Sequence, residues 1–423
     1  MRCCVPSRCM GWPVYESRSR LIVHSLEASR LGDGLGEGLG GGVLRMLSRR
    51  ALVLSQPGDT VVVDAMPDGD WLDFLGTIGF ELGSIRVAGG DSKTIAGRIM
   101  SDESLMSELL GGSWIVEPYM GGEEIEKLAG LLGGELRAPK NALLNRLNLK
   151  SNLCPILGHA GVATIPTTVA ARDDAISTAR HMLNEYGAVM VRSDLSIGGH
   201  GVWKVVGEPD FERLNAGVER SERSRLFVLQ PLLEVNNSPN VQYDIREDGA
   251  ELLGVSAQQM SQSFAFGGNE YPCLLGDDPR ILEQSERVGR WLFEAGYRGI
   301  VGIDFIVTSS REVFIVEINP RVNTSTFPLL MSKRLGKSAF RLMTGIGVDG
   351  ADGFGELVGC VGEGLMFDPG KGFGMVPLMV PAGGGGGRPV LDAMIFGDDL
   401  DQVGSVCDSL LSRVAGGGLG ATT

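Results

Sequence analysis

Residues 299–321, GIVGIDFIVTSSREVFIVEINPR, decide the fold of this 423-residue chain. The segment contains two mainly apolar, β-branched runs, 300–307 and 313–318, on either side of the polar residues 308–311. β-Branched runs favour strands, and a short polar connection between two of them favours a hairpin. The segment therefore predicts two antiparallel strands joined by a tight loop.

The second strand of this hairpin has one polar face. Glu317 and Asn319 are two residues apart, so both point to the same side of a strand. The residues expected on the opposite, core-facing side are Phe314, Val316 and Ile318. A four-residue loop would place Asp304 opposite Ile315, with Glu317 as its diagonal neighbour on the same face. A three- or five-residue loop would instead turn Asp304 away.

Asp304, Glu317 and Asn319 together form a candidate metal site. Two carboxylates and an amide oxygen are hard ligands that suit Mg²⁺, which usually keeps several waters and bridges substrate phosphates. The alternative is a solvated strand face with ordinary acids, and it stays open at this point. Arg321 follows two residues later, and the polar loop 323–325 could hold a reacting group beside it.

A second feature is the glycine-rich segment VRSDLSIGGHGV, residues 191–202. Glycines allow backbone N–H groups to close over phosphates without obstruction by side chains. Arg192 adds a cation at the end of the preceding predicted strand. The alternative is an ordinary glycine-rich hairpin turn, which is the commoner meaning of such a segment.

Two weaker features lie on either side of that segment. Lys150 precedes a short helix, and a lone lysine of this kind is usually a solvated surface charge. Residues 227–234, FVLQPLLE, form an apolar strand that runs into a short connector and an acid. Such a connector can offer backbone groups to an adenine edge and a carboxylate to a ribose, although a plain strand exit has the same sequence.

Composition narrows the class of protein. Hydrophobic residues make up 43% of the chain and charged residues 21%, as in ordinary folded proteins. The formal net charge of -14 argues against a nucleic-acid partner, because an acidic surface repels phosphate backbones. No apolar run is long enough to span a bilayer. Seven scattered cysteines, an odd number, fit a reducing compartment, so we expect a cytoplasmic location.

These four features, in this order and at these spacings, resemble the ATP-grasp superfamily over residues 141–345. The resemblance implies an α/β (α+β) fold in which a nucleotide binds between two subdomains, with ATP and Mg²⁺ as cofactors. It implies that Lys150 and Arg192 contact phosphates, although most members have lysine at the position of Arg192. The nucleotide-binding residues implied are Ser196, Gly198, Gly199 and Gly201 in a mobile flap, Gln230 and Leu233 at the adenine, and Glu234 at the ribose.

The resemblance also assigns roles at the hairpin. Asp304, Glu317 and Asn319 would hold Mg²⁺, and Arg321 would steady an acyl phosphate and the oxyanion that follows. More narrowly, Asn319-Pro320-Arg321 and the Glu117-Pro118-Tyr119 segment resemble the peptide ligases of the pheganomycin type. The candidate substrate contacts are Gly268, Asn269, Arg298, Asn323 and Ser325.

Four regions are expected along the chain. They are a flexible arm over 1–48, a pre-ATP-grasp α/β domain over 49–140, an ATP-grasp domain over 141–345 with its flap subdomain at about 162–230, and a small C-terminal domain over 346–423. In the first α/β domain, residues 51–64 predict two strands separated by a turn at Gln56-Pro57-Gly58-Asp59. A homodimer is common among the proteins that the chain resembles.

The function implied is an ATP-dependent carboxylate–amine ligase. It would form an amide bond through an acyl phosphate, joining a small-molecule carboxylate, such as a modified amino acid, to an amine or peptide acceptor in natural-product biosynthesis. Two alternatives stay open on the sequence alone. One is a carboxylase-like or small-molecule amidoligase enzyme, and the other is a protein that binds ATP without turning it over.

Overall fold

The computed structural model describes residues 18–27, 47–195, 201–221, 223–261, 266–380 and 389–416. Within them, three β-sheets and the helices packed on those sheets make up the fold. No helix in these ranges is both long enough and apolar enough to cross a membrane.

The first sheet is parallel and lies in the N-terminal region. Its strands are β1 Ser19–Val23, β2 Thr60–Val63, β3 Ser84–Val87, β4 Trp114–Pro118 and β5 Glu135–Leu136, in the spatial order β3-β2-β1-β4-β5. Both faces are covered, as parallel sheets require. Ile22 and Leu21, neighbours in β1, point into two different cores. The α-helices of this region are Gly69–Thr77, Ile95–Ser101, Glu103–Leu109 and Glu123–Leu132.

The central strand of this sheet corrects one prediction. β1 lies within residues 1–48, which were expected to form a flexible arm, yet it pairs with both β2 and β4. A glycine-rich tract separates β1 from the rest of the domain in sequence, so its three apolar residues carried too weak a signal. Ala51–Leu54, expected to be a strand, is a buried 3-10 turn that continues the helical residues 47–50.

A four-stranded antiparallel sheet forms the flap subdomain. Its strands are β6 Thr168–Ala171, β7 Val189–Ser193, β8 Val202–Val205 and β9 Leu226–Pro231, in the spatial order β6-β9-β7-β8. The helices Ala175–Tyr186 and Asp210–Arg220 pack against it through Ala179 and Leu214. Gly187 ends the first helix with φ +77°, a conformation that glycine adopts without strain.

A nine-stranded sheet forms the rest of the fold. Its strands are β10 Val235–Asn237, β11 Pro239–Ile245, β12 Ala250–Met260, β13 Phe266–Tyr271, β14 Gly299–Thr308, β15 Val313–Asn319, β16 Ala339–Gly347, β17 Gly374–Pro377 and β18 Val390–Gly397. The remaining α-helices are Asn141–Asn148, Leu153–His159, Pro279–Glu294, Thr326–Leu335, Phe354–Val361 and Leu400–Gly416. Asp278 and Pro279 begin one of them: the Asp278 side chain accepts from the Arg280 N–H, and proline occupies the first turn.

The C-terminal residues extend this same sheet. β18 pairs with β16 and β17, and the predicted boundary at 345 falls inside β16. Phe396 of β18 belongs to the same buried cluster as Trp71 beside the first sheet. The prediction of a separate C-terminal domain is therefore wrong, because its apolar residues close the core of the N-terminal region.

The 299–321 hairpin forms, but its register differs from the predicted one. Val307 pairs with Val313, so the loop has five residues, and Phe305 pairs with Ile315. One extra residue, Val316, then bulges from β15 and leaves Glu317 directly opposite Asp304. Without the bulge, this loop would have turned Asp304 away from Glu317, as the sequence predicted for a five-residue connection.

The same bulge changes which side chains of β15 face the core. Val313, Ile315 and Ile318 are buried there, whereas Phe314 and Val316 are only half-buried. The predicted core set was therefore wrong for Phe314 and Val316, because strict alternation ends at the bulge. Only Ile318 was placed correctly, since it lies beyond the inserted residue.

Candidate active site

A cleft of about 560 Å³ lies between the flap sheet and the nine-stranded sheet. β7 and β9 contribute one wall, and β10, β12, β14 and β15 contribute the other. Its polar and charged lining side chains are Lys150, Arg192, Gln230, Asn236, Asn237, Ser238, Gln258, Gln259, Ser261, Asp304 and Glu317. Apolar side chains including Ile165, Met190 and Leu233 line it as well. A mixed cleft of this size suits a nucleotide, which has a flat apolar base and a charged phosphate tail.

The carboxylate of Asp304 is held by three side-chain amides. Its Oδ1 accepts from Asn240 Nδ2 at 2.6 Å and from Gln258 Nε2 at 3.0 Å. Its Oδ2 accepts from Asn319 Nδ2 at 2.8 Å. Asp304 is 8% exposed, so these bonds replace most of its hydration. The amides fix the orientation of the carboxylate at the wall of the cleft.

The two facing carboxylates have opposite pKa shifts. Burial, together with the neighbouring charge of Glu317, raises the pKa of Asp304 to about 6. Burial alone would also raise the pKa of Glu317, but the cations of Lys150 and Arg192 outweigh that effect and lower it. The Asp304 and Glu317 carboxylates therefore repel each other, and a cation bound between them would relieve that repulsion.

Two cations from different elements reach this pair. The Lys150 ammonium lies 3.1 Å from Glu317 Oε1, and Lys150 is a nearly buried side chain at 9% exposure. Arg192, in β7 of the flap sheet, donates to the Val316 carbonyl at 3.1 Å and to Gln230 Oε1 at 2.8 Å. The structure thus brings Lys150 and Arg192 to the face of the sheet that carries Asp304 and Glu317.

Arg321 lies where the hairpin meets the N-terminal sheet. Its guanidinium donates to the Tyr119 hydroxyl at 3.2 Å and to Asn319 Oδ1 at 3.1 Å. It also lies 5.7 Å from the centre of the Tyr119 ring. Because the oxygen of Asn319 accepts from Arg321 and its nitrogen faces Asp304, the predicted metal contact of Asn319 stays a prediction.

Only some of the predicted nucleotide-binding residues line the cleft among the residues that the structure describes. Gln230 and Leu233 line the cleft, but the Gln230 amide is occupied by Arg192 and by Thr167 Oγ1 at 2.8 Å. Glu234 is exposed, and its two neighbours in sequence line the cleft. Gly201 lies just before β8 with φ +70°. Ser196, Gly198 and Gly199 lie outside the described residues.

The predicted substrate residues divide into two groups. Asn323 and Ser325 are buried beside the hairpin, and Ser325 Oγ donates to Asn240 Oδ1 at 3.1 Å. Arg298 instead donates to the Tyr297 carbonyl at 2.7 Å and packs on a phenylalanine ring, outside the residues lining the cleft. That placement gives no support to a substrate contact for Arg298.

Gly268 and Asn269, in β13, have structural explanations. A Cβ at Gly268 would lie 1.8 Å from the Leu342 carbonyl oxygen of the neighbouring strand, so close strand contact explains this glycine. The Asn269 side chain is fully buried and donates to Ser256 Oγ at 2.9 Å. Neither residue lines the cleft, although a role in substrate binding stays a prediction.

Sequence reasoning missed two of the three amides that hold Asp304, those of Asn240 and Gln258. Asn240 and Gln242 lie in the segment PNVQYDI, residues 239–245, where polar residues alternate with apolar ones. This alternation indicates a strand with one polar face, and Asn240 pairs directly with Asp304. Gln258, on the next strand, had no comparable signal. Among the described residues, no three His, Cys, Asp or Glu side chains converge as a metal cluster, so the site has two carboxylates supported by amides.

Two protein-family models match this chain. A model of the ATP-grasp domain matches residues 167–325, and a model of the pre-ATP-grasp domain matches residues 48–134. The chain thus contains an ATP-grasp domain. Domains of this family occur in ATP-dependent ligases, which use ATP and Mg²⁺. The flap sheet, β11, β14 and β15 all fall within the matched ATP-grasp residues.

Two curated relatives of this chain are amino-acid ligases. One is the [butirosin acyl-carrier protein]–L-glutamate ligase of Niallia circulans, 22% identical over 68% of this chain and 67% of the relative. The other is the L-propargylglycine–L-glutamate ligase of Streptantibioticus cattleyicolor, 30% identical over 28% of this chain and 25% of the relative.

Solved structures share the fold. An N5-carboxyaminoimidazole ribonucleotide synthetase bound to ADP superposes with a TM-score of 0.60 at 13% identity, over 94% of this chain and 97% of the other. The biotin carboxylase of Campylobacter jejuni, in a complex with a β,γ-ATP ligand, gives 0.58 at 14% identity, over 94% and 91%. At these identities the likeness concerns the fold alone.

The residues present fit the cofactors of the family. Two facing carboxylates supply the hard, anionic oxygens that Mg²⁺ requires. Lys150 and Arg192 supply positive charge for phosphates within the same cleft. The orphaned, buried Nε of Arg192 has no hydrogen-bond partner among the described residues, which leaves one donor of that guanidinium unused.

Proposed function

We propose that this protein is a carboxylate–amine ligase that forms an amide bond through an acyl phosphate. One observation carries the proposal. The facing carboxylates of Asp304 and Glu317 share a cleft with Lys150 and Arg192, and Arg321 lies at the end of the same hairpin. Phosphoryl transfer to a carboxylate needs such an arrangement, because the anionic carboxylate must approach the anionic γ-phosphate of ATP.

The chemistry explains why activation is required. A free carboxylate is a poor electrophile, since its charge is delocalised over two oxygens. In the proposed reaction one carboxylate oxygen attacks the γ-phosphorus of ATP, the bond to the β,γ-bridging oxygen breaks, and ADP leaves. The amine then attacks the acyl carbon, the C–O bond breaks, and inorganic phosphate leaves as the amine loses a proton. Mg²⁺, when bound, supplies charge neutralisation at the phosphates.

The residues of the cleft divide this work. Lys150 and Arg192 offset negative charge on the phosphates, and such fixed charges are worth more in a water-poor site than in bulk solvent. Asp304 and Glu317 would hold the Mg²⁺ that accompanies the nucleotide. Arg321 offers its guanidinium to the acyl phosphate and to the oxyanion formed on amine attack.

The substrate class is part of the proposal. Both curated relatives are named for ligation of L-glutamate, in one case with an acyl-carrier protein and in the other with L-propargylglycine. We therefore propose an amino acid as one partner and an amino acid, peptide or carrier-bound amine as the other, in natural-product biosynthesis.

The test is release of ADP with Mg²⁺ and ATP across a matrix of carboxylates and amines. L-Glutamate, other amino acids and short peptides fill both axes, and bicarbonate is included as a carboxylate to test the carboxylase alternative. Glu317→Gln is the site variant. Glu312→Gln is its matched control, because Glu312 is an exposed carboxylate in the loop of the same hairpin.

A ligase releases ADP only when both partners are present, and the product contains the new amide. Glu317→Gln should lower the rate by at least about 100-fold, since a carboxylate facing the metal is lost, whereas Glu312→Gln should retain it. ADP release with bicarbonate and an amine acceptor would support a carboxylase instead. ATP binding without ADP release over the whole matrix would contradict the ligase proposal.

A further inference from the structure

A buried chain of hydrogen bonds connects the polar loop after Arg321 to the carboxylate of Asp304. The Asn323 N–H donates to Thr326 Oγ1 at 2.9 Å, and Thr326 Oγ1 donates to Gln242 Oε1 at 2.5 Å. Gln242 Nε2 donates to Asn240 Oδ1 at 3.0 Å, and Asn240 Nδ2 donates to Asp304. All five residues are at most 8% exposed. The chain therefore runs through the interior of the protein rather than through the cleft.

Ser325 adds a branch to this chain. Its hydroxyl lies 2.7 Å from Gln242 Nε2, from which it accepts, and it donates to Asn240 Oδ1. Asn240 Oδ1 thus accepts from two residues. The Nδ2 group of Asn240 donates to Asp304.

Chemistry fixes the direction of every bond in the chain. An ionised Asp304 can only accept, so Asn240 must present its nitrogen there and its oxygen to Gln242. Gln242 must then present its nitrogen to Asn240 and its oxygen to Thr326, whose hydroxyl donates. At the far end, the Asn323 N–H can only donate. Side-chain amides are otherwise ambiguous in orientation, but here both ends agree on a single one.

The loop is seated on the sheet at a position that glycine makes possible. Gly302 lies between Gln242 and Asn319 on adjacent strands. A Cβ at Gly302 would lie 2.6 Å from Asn323 Nδ2, so the missing side chain leaves the space that the Asn323 side chain fills. Asn323 Nδ2 in turn donates to the Arg321 carbonyl at 2.9 Å. Residue Asn323 of this loop therefore contacts the backbone of Arg321 through its side chain and donates its N–H to the first hydroxyl of the hydrogen-bond chain.

We propose that Gln242 and Thr326 are positioning residues that couple docking of the 321–325 loop to the orientation of the Asp304 carboxylate. The inference rests on the proposed function of Asp304 as a metal-side carboxylate. With the loop docked, Asp304 accepts from Asn240 and offers its remaining lone pairs in a fixed direction. With the chain broken, Asn240 can turn over, and its oxygen then opposes the carboxylate.

The coupling predicts a specific loss. Partners that orient a metal ligand typically contribute 10–100-fold to metal affinity. Breaking the chain should therefore weaken the part of nucleotide binding that depends on Mg²⁺ and leave binding of Mg²⁺-free nucleotide unchanged. A merely structural role would lower thermal stability without separating the two.

The experiment is calorimetric titration of the 423-residue protein with ADP, with and without saturating Mg²⁺. A thermal melt of each variant accompanies it. Thr326→Val removes the hydroxyl while keeping the shape, and Thr326→Ser keeps the hydroxyl. Ser332→Ala is the matched control: Ser332 lies in the same helix, is 2% exposed, and its hydroxyl donates to the Leu329 carbonyl outside the chain. Glu317→Gln tests the metal site itself.

We expect Thr326→Val to weaken Mg²⁺-dependent affinity by at least about tenfold. Thr326→Ser and Ser332→Ala should remain within about twofold of the wild type. Wild-type Mg²⁺ dependence that Glu317→Gln abolishes and Thr326→Val retains would overturn this inference alone. An absence of any Mg²⁺ effect in the wild type would overturn it together with the proposed site. If Thr326→Val does not fold, the same titrations are made with Gln242→Met and Ser325→Ala, and we expect weaker Mg²⁺-dependent affinity in both. Unchanged Mg²⁺ dependence in both variants would overturn the inference.

Discussion

Glu317 lies directly opposite Asp304 because one extra residue, Val316, bulges from β15. The bulge also frees the Val316 carbonyl for Arg192 of the flap sheet. One local irregularity therefore brings two carboxylates together and ties the flap subdomain to the strand that carries one of them. Bulges commonly re-aim a side chain beside an active site.

Arg192 should tolerate lysine poorly and methionine hardly at all. The planar guanidinium serves Val316 and Gln230 at once, whereas an ammonium keeps the charge but cannot span both partners in the same fork. We expect Arg192→Lys to raise the KM for ATP about tenfold and Arg192→Met to lower kcat/KM by a further tenfold or more. Steady-state kinetics in ATP checks this. Equal effects of the two variants would mean that the charge has no separate role.

Arg321 should be more important than the tyrosine that holds it. Arg321→Met removes the charge proposed to stabilise the acyl phosphate, and a fixed charge of this kind is worth about 100-fold in kcat or more. Tyr119→Phe removes only the hydroxyl that accepts from Arg321 and keeps the ring beside the guanidinium. We expect the second change to cost less than about tenfold. A larger loss in Tyr119→Phe than in Arg321→Met would contradict this assignment.

A buried ion pair should stabilise the junction between the first and third sheets. Arg137, just after β5, is paired with Asp244 of β11, and both are nearly inaccessible. Asp244→Asn removes the carboxylate that pairs with the buried Arg137 guanidinium and with Arg246, which should lower the free energy of unfolding by about 3 kcal/mol. Denaturant unfolding measures this.

The matched control for that variant is Glu286→Gln, which breaks an exposed pair with Arg290. Exposed pairs are screened by water and contribute little, so no measurable loss is expected. A loss in Glu286→Gln equal to that in Asp244→Asn would show that burial is not the cause.

His24 should make the protein sensitive to mild acid. Its ring is fully buried beside Tyr119, and neither nitrogen has a hydrogen-bond partner among the described residues. Burial lowers its pKa from 6.5 to about 4. The unfolded chain therefore binds this proton more readily, so stability is full above about pH 6.5 and falls as the pH drops toward 4.

The loss assigned to His24 is roughly 3 kcal/mol over that range. In His24→Leu, the slope of unfolding free energy against pH between 4 and 6.5 should be shallower than in the wild type. Chemical denaturation at a series of pH values measures both slopes. Parallel slopes would mean that His24 is charged, or paired, in the folded protein.

The amino-acid pattern predicted the charged side chains that share the cleft better than it predicted the pairing of distant strands. Glu317 and Asn319 could be placed on one face from the strand period, because period-two alternation is a local property. Asp304 was placed beside them only for a four-residue loop, and the observed loop has five residues. The bulge at Val316 could not be predicted, since it depends on how the hairpin fits against β11 and the flap sheet. The prediction that Asp304 and Glu317 share a face was therefore right, whereas the prediction that Phe314 and Val316 face the core was wrong.

Long-range pairing accounts for the remaining errors. β1 is central in its sheet, yet it is short and is separated from its partner β2 by a long glycine-rich tract. β18 joins β16 across the sheet, although residues 346–423 looked like a separate unit. The Gln242 chain was invisible for the same reason: Thr326 and Gln242 are adjacent only after β11 and the 321–325 loop are assembled.

The central claim, an acyl phosphate, is tested most directly by oxygen transfer. The carboxylate partner identified in the ADP-release matrix is labelled with ¹⁸O in both oxygens and incubated with ATP, Mg²⁺ and the amine. If the carboxylate attacks the γ-phosphorus, one labelled oxygen per turnover appears in the released phosphate and the amide retains the other. Amide formation that releases only unlabelled phosphate would contradict the proposed mechanism.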